Sequence, residues 1–309
     1  MAAHTPVLLD EVLAGLHVEP TGRYVDATFG RGGHAAAILA ALGPTGRVYA
    51  VDRDPDAVAA GRERFAAEPR LTLIRGSFGQ LATLLRTAGV EGGLQGVLLD
   101  LGVSSPQLDE ARRGFSFMQD GPLDMRMDYE SGSSAAQWLA RAGEREIVDV
   151  LFRLGEERFA RRIARAIVAA RAAAPILTTR QLAEIVSGAV RKREPGKHPA
   201  TRTFQALRIH VNRELEEVES ALPQAVALLA PRGRLCVISF HSLEDRLVKR
   251  FMRREAQGDP VYAGLPDVPP HARPRLKLVG GAVMPGAEET ARNPRARSAV
   301  LRIAERLAA

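Results

Sequence analysis

The stretch Val25-Asp-Ala-Thr-Phe-Gly-Arg-Gly-Gly-His34 decides the fold. A short β-rich run from Arg23 to Phe29 ends in a glycine cluster. Helical periodicity follows at Ala36, Ile38, Leu39 and Leu42, until Gly43-Pro44 stops it. Glycines directly after a first strand let backbone approach a ligand closely, and the next helix turns its N–H groups toward it. Asp52, 22 residues past Gly30, closes a second apolar strand, Arg47 to Asp52, where a carboxylate can accept from a ribose diol. Gly30-x-Gly32-x-x-Ala35 also fits a loose dinucleotide fingerprint, so the pattern implies an adenosine-type cofactor without saying which. A tight strand-to-helix turn with no ligand is the plainer alternative.

The same rhythm continues outward. Pro55 to Phe65 reads as a helix, Leu71 to Arg75 as a third strand and Gly96 to Leu101 as a fourth. Short apolar strands alternating with helices imply a parallel sheet wound by right-handed crossovers, a Rossmann-like α/β fold. The rhythm then stops for about a hundred residues. Gly114 to Gly132 is a polar loop with Met118, Met125 and Met127 interspersed, and helices are expected over Glu144–Arg171 and Thr179–Val190, the second capped by Thr178/Thr179. Lys192 to Thr201 is a basic loop; Phe204, Leu207, Val211, Leu215, Val218 and Leu222 then mark one long amphipathic helix. Gly233 to Phe240 resumes the buried-strand pattern and Ala299 to Ile303 closes it. The expected division is a sheet domain, residues 1–107, an inserted helical domain for substrate, 108–213, and the rest of the sheet domain, 214–309.

Composition narrows the classes. The 309 residues are 46% hydrophobic, ample for a core, and the single cysteine, Cys236, excludes an internal disulfide framework or a cysteine-based zinc cluster. No apolar run approaches the ~18 residues of a membrane span, and Asp10 and Glu11 interrupt any leader-like stretch, so a cytoplasmic protein without membrane contact is expected. Charge is uneven. Leu151 to Arg213 holds 12 Arg and 2 Lys against 4 Glu, a net +10 in a chain of net +7, which leaves the remainder at −3. A basic middle third suggests a polyanion-facing module, with Arg191, Lys192, Arg193, Lys197 and Arg202 as candidate phosphate contacts. Lysine occurs only at 192, 197, 249 and 277, which also fits a chain rich in arginine through codon bias and a merely solvated face.

The strand ends separate the cofactors. An S-adenosylmethionine site wants acids at the ends of strands one and two and a polar tip on strand four; Asp26, Asp52 and Asp100 supply that series. Hydride transfer would need its own general acid, and neither His34 nor His241 sits in a dehydrogenase setting; an NAD-dependent oxidoreductase stays as the alternative. Asp100-Leu-Gly-Val-Ser-Ser-Pro-Gln107 and Arg113 to Asp128 form a second cluster. Asp100 and Gln107 can hold an amine, and Phe115 or Phe117 can stack on a planar base or simply pack in a core. Asp124 and Asp128 read as a self-capped loop, since no His or further acid at ligand spacing supports a metal.

His4 to Glu11, the Gly30–His34 cluster, Asp100–Gln107, Gly114–Asp128, His198 to Gln205, Ser239 to Asp245 and Asn293 to Ser298 together closely resemble the bacterial RsmH (MraW) family. The resemblance runs nearly end to end, although Gly258 to Gly280 shows little of the pattern. It implies a class I S-adenosylmethionine-dependent methyltransferase with a helical insertion, acting on N4 of a cytosine in the decoding region of 16S rRNA. The expected partner is that RNA within the small ribosomal subunit, and a homodimer is left open. Carried over as cofactor contacts are Gly32, Gly33, His34, Asp52, Phe78, Asp100 and Gln107. The residues agree with N4 chemistry. Methylating C5 of cytosine needs a thiolate, and the lone thiol lies mid-strand at Cys236, whereas N4 methylation needs no covalent intermediate. Asp100, with the backbone carbonyls of Leu101 and Gly102, is the expected catalytic acceptor of the amine hydrogens; the loop carbonyls or His241, also a candidate RNA contact, are the substitutes. The Asn/Asp/Ser-Pro-Pro-Tyr/Phe motif of DNA amino-methylases is absent, so the base-stacking residue is not assigned. A non-catalytic RNA-binding assembly factor remains a third reading.

Overall fold

The computed structural model describes residues 6–190, 196, 198–262, 264 and 267–308. The chain divides into two compact units, residues 1–102 with 215–309, and residues 103–214, where the sequence pattern places these edges at 107/108 and 213/214.

The first unit begins with α1 (Leu9–Leu16), β1 (Arg23–Asp26), α2 (Gly33–Ala41), β2 (Arg47–Asp52) and α3 (Pro55–Arg64). β3 (Leu71–Arg75), α4 (Leu81–Thr87) and β4 (Leu94–Asp100) follow. The second unit holds α5 (Ser105–Asp109), α6 (Ala135–Arg141), α7 (Glu144–Gly155), α8 (Ala160–Ala173), α9 (Thr179–Ala189) and α10 (Thr201–Asn212). The chain then adds α11 (Glu214–Leu228), β5 (Leu229–Ser239), α12 (Ser242–Gln257), β6 (Leu276–Leu278), α13 (Ala287–Arg292) and β7 (Val300–Arg306).

One seven-stranded sheet runs in the order β3-β2-β1-β4-β5-β7-β6. β1 to β5 are mutually parallel and β7 is antiparallel to β5. Both faces are covered, which is why these strands read as continuous apolar runs. Along β4, Val97 and Leu99 join one core cluster while Leu98, between them, joins the cluster on the opposite face. Along β5, Val237 and its neighbours Cys236 and Ile238 divide the same way. The strand order reverses between β1 and β4, so both lead from the middle of the sheet into one crevice at their carboxyl ends.

Two helices expected to be continuous are broken. Glu144–Arg171 splits into α7 and α8 because Glu156 takes a left-handed backbone, φ 49°, and Gly155 lies so close to Arg202 that a Cβ would sit 2.6 Å from its carbonyl oxygen. The run Phe204–Leu222 breaks at Arg213, φ 52°. Its apolar spacing continues across the break because α10 and α11 bury their faces in different cores, Phe204 and Leu207 in the helical unit, Val218 and Leu222 under the sheet. β1 ends at Asp26, not Phe29, since the chain must turn there into the glycine loop.

Candidate active site

The glycine loop is built by backbone requirements. Gly30 and Gly32 hold φ of +54° and +69°, the left-handed region that favours glycine. A Cβ on Gly32 would lie 2.6 Å from the Phe29 ring, and one on Gly33 would lie 2.5 Å from Pro6. α2 starts without any side-chain cap, so its first-turn N–H groups are left for a ligand. Asp52 reaches into the loop from the end of β2: its Oδ2 accepts from the Gly30 N–H at 2.7 Å and its Oδ1 from the Asp54 N–H at 2.8 Å. Burial still outweighs these bonds and pushes the Asp52 carboxyl up to about 6.

His34 and Asp100 stand together behind the loop. His34 is 6% exposed, with Nε2 3.0 Å from the Val7 carbonyl. A carbonyl only accepts, so Nε2 carries the proton and neutral His34 leaves Nδ1 as an acceptor. That Nδ1 lies 3.6 Å from Asp100 Oδ2, too far for a hydrogen bond. Burial lowers the His34 pKa; beside it, burial raises that of Asp26, the last residue of β1. Asp100 ends β4 with its N–H donating to Thr28 Oγ1 at 2.7 Å and its side chain 25% exposed. Desolvation first, and the Glu244 charge second, push the Asp100 carboxyl up to about 7. Its Oδ1 is enclosed and has no hydrogen-bond partner among the described residues. A buried acceptor without a donor is costly, so this oxygen is prepared for a group that arrives with its own hydrogens or positive charge.

Two neighbouring turns complete the rim. After β3, Ser77 and the Gly79 N–H both bond to the Glu217 carboxylate, which fixes the turn carrying the half-buried Phe78. After β5, His241 caps α12: its Nδ1 accepts from the Glu244 N–H at 3.4 Å and its Nε2 lies 3.1 Å from Glu244 Oε1. Glu244 Oε2 accepts from the Phe240 N–H at 2.8 Å, so this buried acid organises the turn beside β4. Sequence reasoning missed Thr28, Glu217 and Glu244. For Glu244, the available signal was its place three residues after His241 at a helix start, a capping-box spacing.

The remaining expected site residues belong to the helical unit. Gln107 Oε1 accepts from the Ser104 N–H at 2.9 Å in the capping box that starts α5. Phe115 is 6% exposed, with the Arg113 guanidinium 5.9 Å from its ring centroid. Phe117 stacks on His198 with centroids 4.5 Å apart and meets Phe204 edge-on at 5.0 Å. Arg202 donates to the Glu156 carbonyl at 2.7 Å, so part of its guanidinium braces the α7–α8 turn instead of standing free for phosphate. Arg191, Lys192, Arg193 and Lys197 lie outside the described residues. Asp124 pairs with Arg126 at 2.7 Å and Asp128 accepts from Glu130 and Ser131, the self-capped loop that the spacing suggested.

Set against known proteins, the match is nearly end to end: the MraW methylase family profile aligns with residues 1–307. The chain belongs to the MraW methylase family. "Ribosomal RNA small subunit methyltransferase H" of Thioalkalivibrio sulfidiphilus is 59% identical over 308 residues, 99% of this chain and 98% of that protein. Proteins of the same name from Xanthomonas oryzae pv. oryzae and Shewanella loihica are 56% and 54% identical over 306 and 307 residues, covering 99% of this chain in each case and 89% and 98% of theirs. As a MraW methylase the chain is an S-adenosylmethionine-dependent methyltransferase, with the class I Rossmann-like sheet seen above. Hydride transfer to a nicotinamide is thereby replaced as a reading.

The residues fit that cofactor. Asp52 keeps lone pairs for a ribose diol, the uncapped α2 start suits a carboxylate, and the orphaned Asp100 Oδ1 suits a cationic or amine-bearing neighbour.

Proposed function

We propose that the chain methylates the exocyclic N4 of a cytosine in the decoding region of small-subunit ribosomal RNA, presented by the small subunit in the cytoplasm. The observation that carries this reading is Asp100, an acid of raised pKa with an unpartnered oxygen at the carboxyl end of β4. Cys236 supports it from the other side. It is fully buried in β5 and burial pushes its thiol up to about 12, so no thiolate is at hand for attack on a pyrimidine ring.

The cofactor supplies an electrophilic methyl on a cationic sulfur. The chain's residues do the rest. Gly32, Gly33, His34 and Phe78 would hold the cofactor with Asp52 on its ribose, while Gln107 braces the turn after β4. The cytosine amine is a poor nucleophile because its lone pair is delocalised into the ring. Asp100 would accept its N–H hydrogens, draw electron density onto nitrogen and hold that nitrogen in line with the methyl. A methylated amine nitrogen would carry a positive charge, so one amine proton must leave. An acid poised at about 7 can take that proton and return it to water. His34 stands 3.6 Å behind Asp100 with a bare Nδ1 facing it.

The basic middle third would hold the RNA by charge. Mass spectrometry of small-subunit rRNA from a deletion strain tests the reading. One N4 methyl on a decoding-region cytosine should vanish and return with the wild-type gene. Unchanged modification overturns the proposal and favours a non-catalytic assembly role.

A further inference from the structure

The sequence places a basic loop at Lys192 to Thr201, yet the described arginines point to a different surface. Arg158, Arg161, Arg162 and Arg165 are all exposed, at the start and along the first turns of α8. At 3.6 residues per turn they fall within an arc of about 100° and span about 10 Å. The opposite face of α8 is buried through Ala160, Ile163, Ala164 and Ile167, so the arc is the outward one. Arg158, Arg161 and Arg162 make no ion pair or side-chain hydrogen bond among the described residues, and Arg165 meets only Glu144, at 4.0 Å and well exposed. The nearby acids do not neutralise the arc: Glu157 is buried and accepts from the Phe159 N–H, and Glu156 is a single charge already engaged. Just before the turn into α8, Phe152 on α7 is 65% exposed and followed by the exposed Arg153. The helical unit buries Phe115 and Phe204 and packs the half-buried Phe117 and Phe159 against its core, so Phe152 is the one phenylalanine it leaves in water.

We propose that the α8 arginine stripe with Phe152 is a binding surface for single-stranded RNA, the arginines on successive phosphates and the phenylalanine ring under an unpaired base. This rests on the RNA-methylating reading above and names where, beyond the reactive cytosine, the strand is held. Charged grooves beside an open aromatic face are the recurrent solution for single strands, because every base offers a π-face and every nucleotide a phosphate.

The test uses the full-length protein and a decoding-region transcript of small-subunit rRNA, with affinity measured across a salt series. Replacing all four arginines by glutamine should weaken binding and make the log–log salt slope shallower by about 3, at ~0.7 per phosphate on single strands. Replacing them by lysine should keep most of the slope. Phe152→Ala should weaken binding about tenfold with the slope unchanged, as stacking is not salt-linked. Affinity for S-adenosylmethionine, measured on the same preparations, should stay within twofold. A glutamine variant with wild-type slope overturns the proposal, as does a lysine variant as weak as the glutamine one. Methyl transfer by the wild type to the transcript is scored separately: its failure strikes the reaction assigned above and leaves the affinities to judge the stripe.

Discussion

The sheet unit and the helical unit both bury polar side chains, and they use them differently. In the sheet unit the buried or half-buried acids Asp26, Asp52, Asp100 and Glu244 sit at or just beyond strand ends, and burial pushes the three aspartates upward. In the helical unit, Arg113 donates to the carbonyls of Arg126 and Met127, Asn212 binds Met125 and Met127, and Thr179 bonds to Gln119 and Gly121. There the polar groups close turns. The lesson is that burial alone does not mark a reactive residue: among the three strand-end aspartates, Asp100 alone encloses a carboxyl oxygen with no hydrogen-bond partner among the described residues.

The largest effect should come from breaking that distinction. Asp100→Asn keeps the shape but presents a donor where an acceptor is needed. Single-turnover methyl transfer at saturating cofactor should fall about 10²–10³-fold, the loss usual for one charge-stabilising group. A fall below threefold would return Asp100 to a binding role. Asp52→Ala comes next. Loss of a charged hydrogen bond and of the Gly30 anchor should weaken S-adenosylmethionine binding by ~1–3 kcal/mol in calorimetry, while RNA affinity holds.

On the helical side, Asn212→Ala leaves the Met127 N–H and Met125 carbonyl unpaired in a buried place. It should cost ~1–3 kcal/mol in denaturant unfolding, with cofactor affinity unchanged. An unaltered unfolding midpoint would mean water replaces the side chain.

The acids also predict a pH dependence of defined sign. A carboxyl whose folded pKa lies above its unfolded value binds protons more tightly when folded. The stability this contributes is therefore greatest at low pH and is lost as pH rises between about 4 and 7. A cationic cofactor prefers the ionised carboxylates, so its affinity should rise over the same window and level off above about 7. Titrating affinity from pH 5 to 8 checks this; a flat profile would leave these acids outside the cofactor site. The smallest effect is expected at Cys236, where Cys236→Ala should leave methyl transfer within twofold, since the thiol lies inside the sheet.

Much of the sheet unit was legible because its signals are local. Glycines forced to positive φ, the aspartates closing β1, β2 and β4, and two-sided apolar runs all lie within a few residues of what they determine. The α10–α11 break was not legible, because the spacing from Phe204 to Leu222 is continuous while the cores it serves are not. Nor was the environment of Asp100: Thr28 and Glu244 reach it only after the strands are aligned, and Glu244 looks like an ordinary helix-start acid. Nor did the sequence show that Arg113 lies against Phe115 and His198 against Phe117.

The central claim is that an acid, not a thiol, drives methyl transfer to an exocyclic nitrogen of ribosomal RNA. Purified protein, methyl-labelled S-adenosylmethionine and unmodified small subunits test it most directly, with the recovered rRNA digested to nucleosides and resolved by mass spectrometry. The account predicts label in N4-methylcytidine. Label in 5-methylcytidine would contradict it.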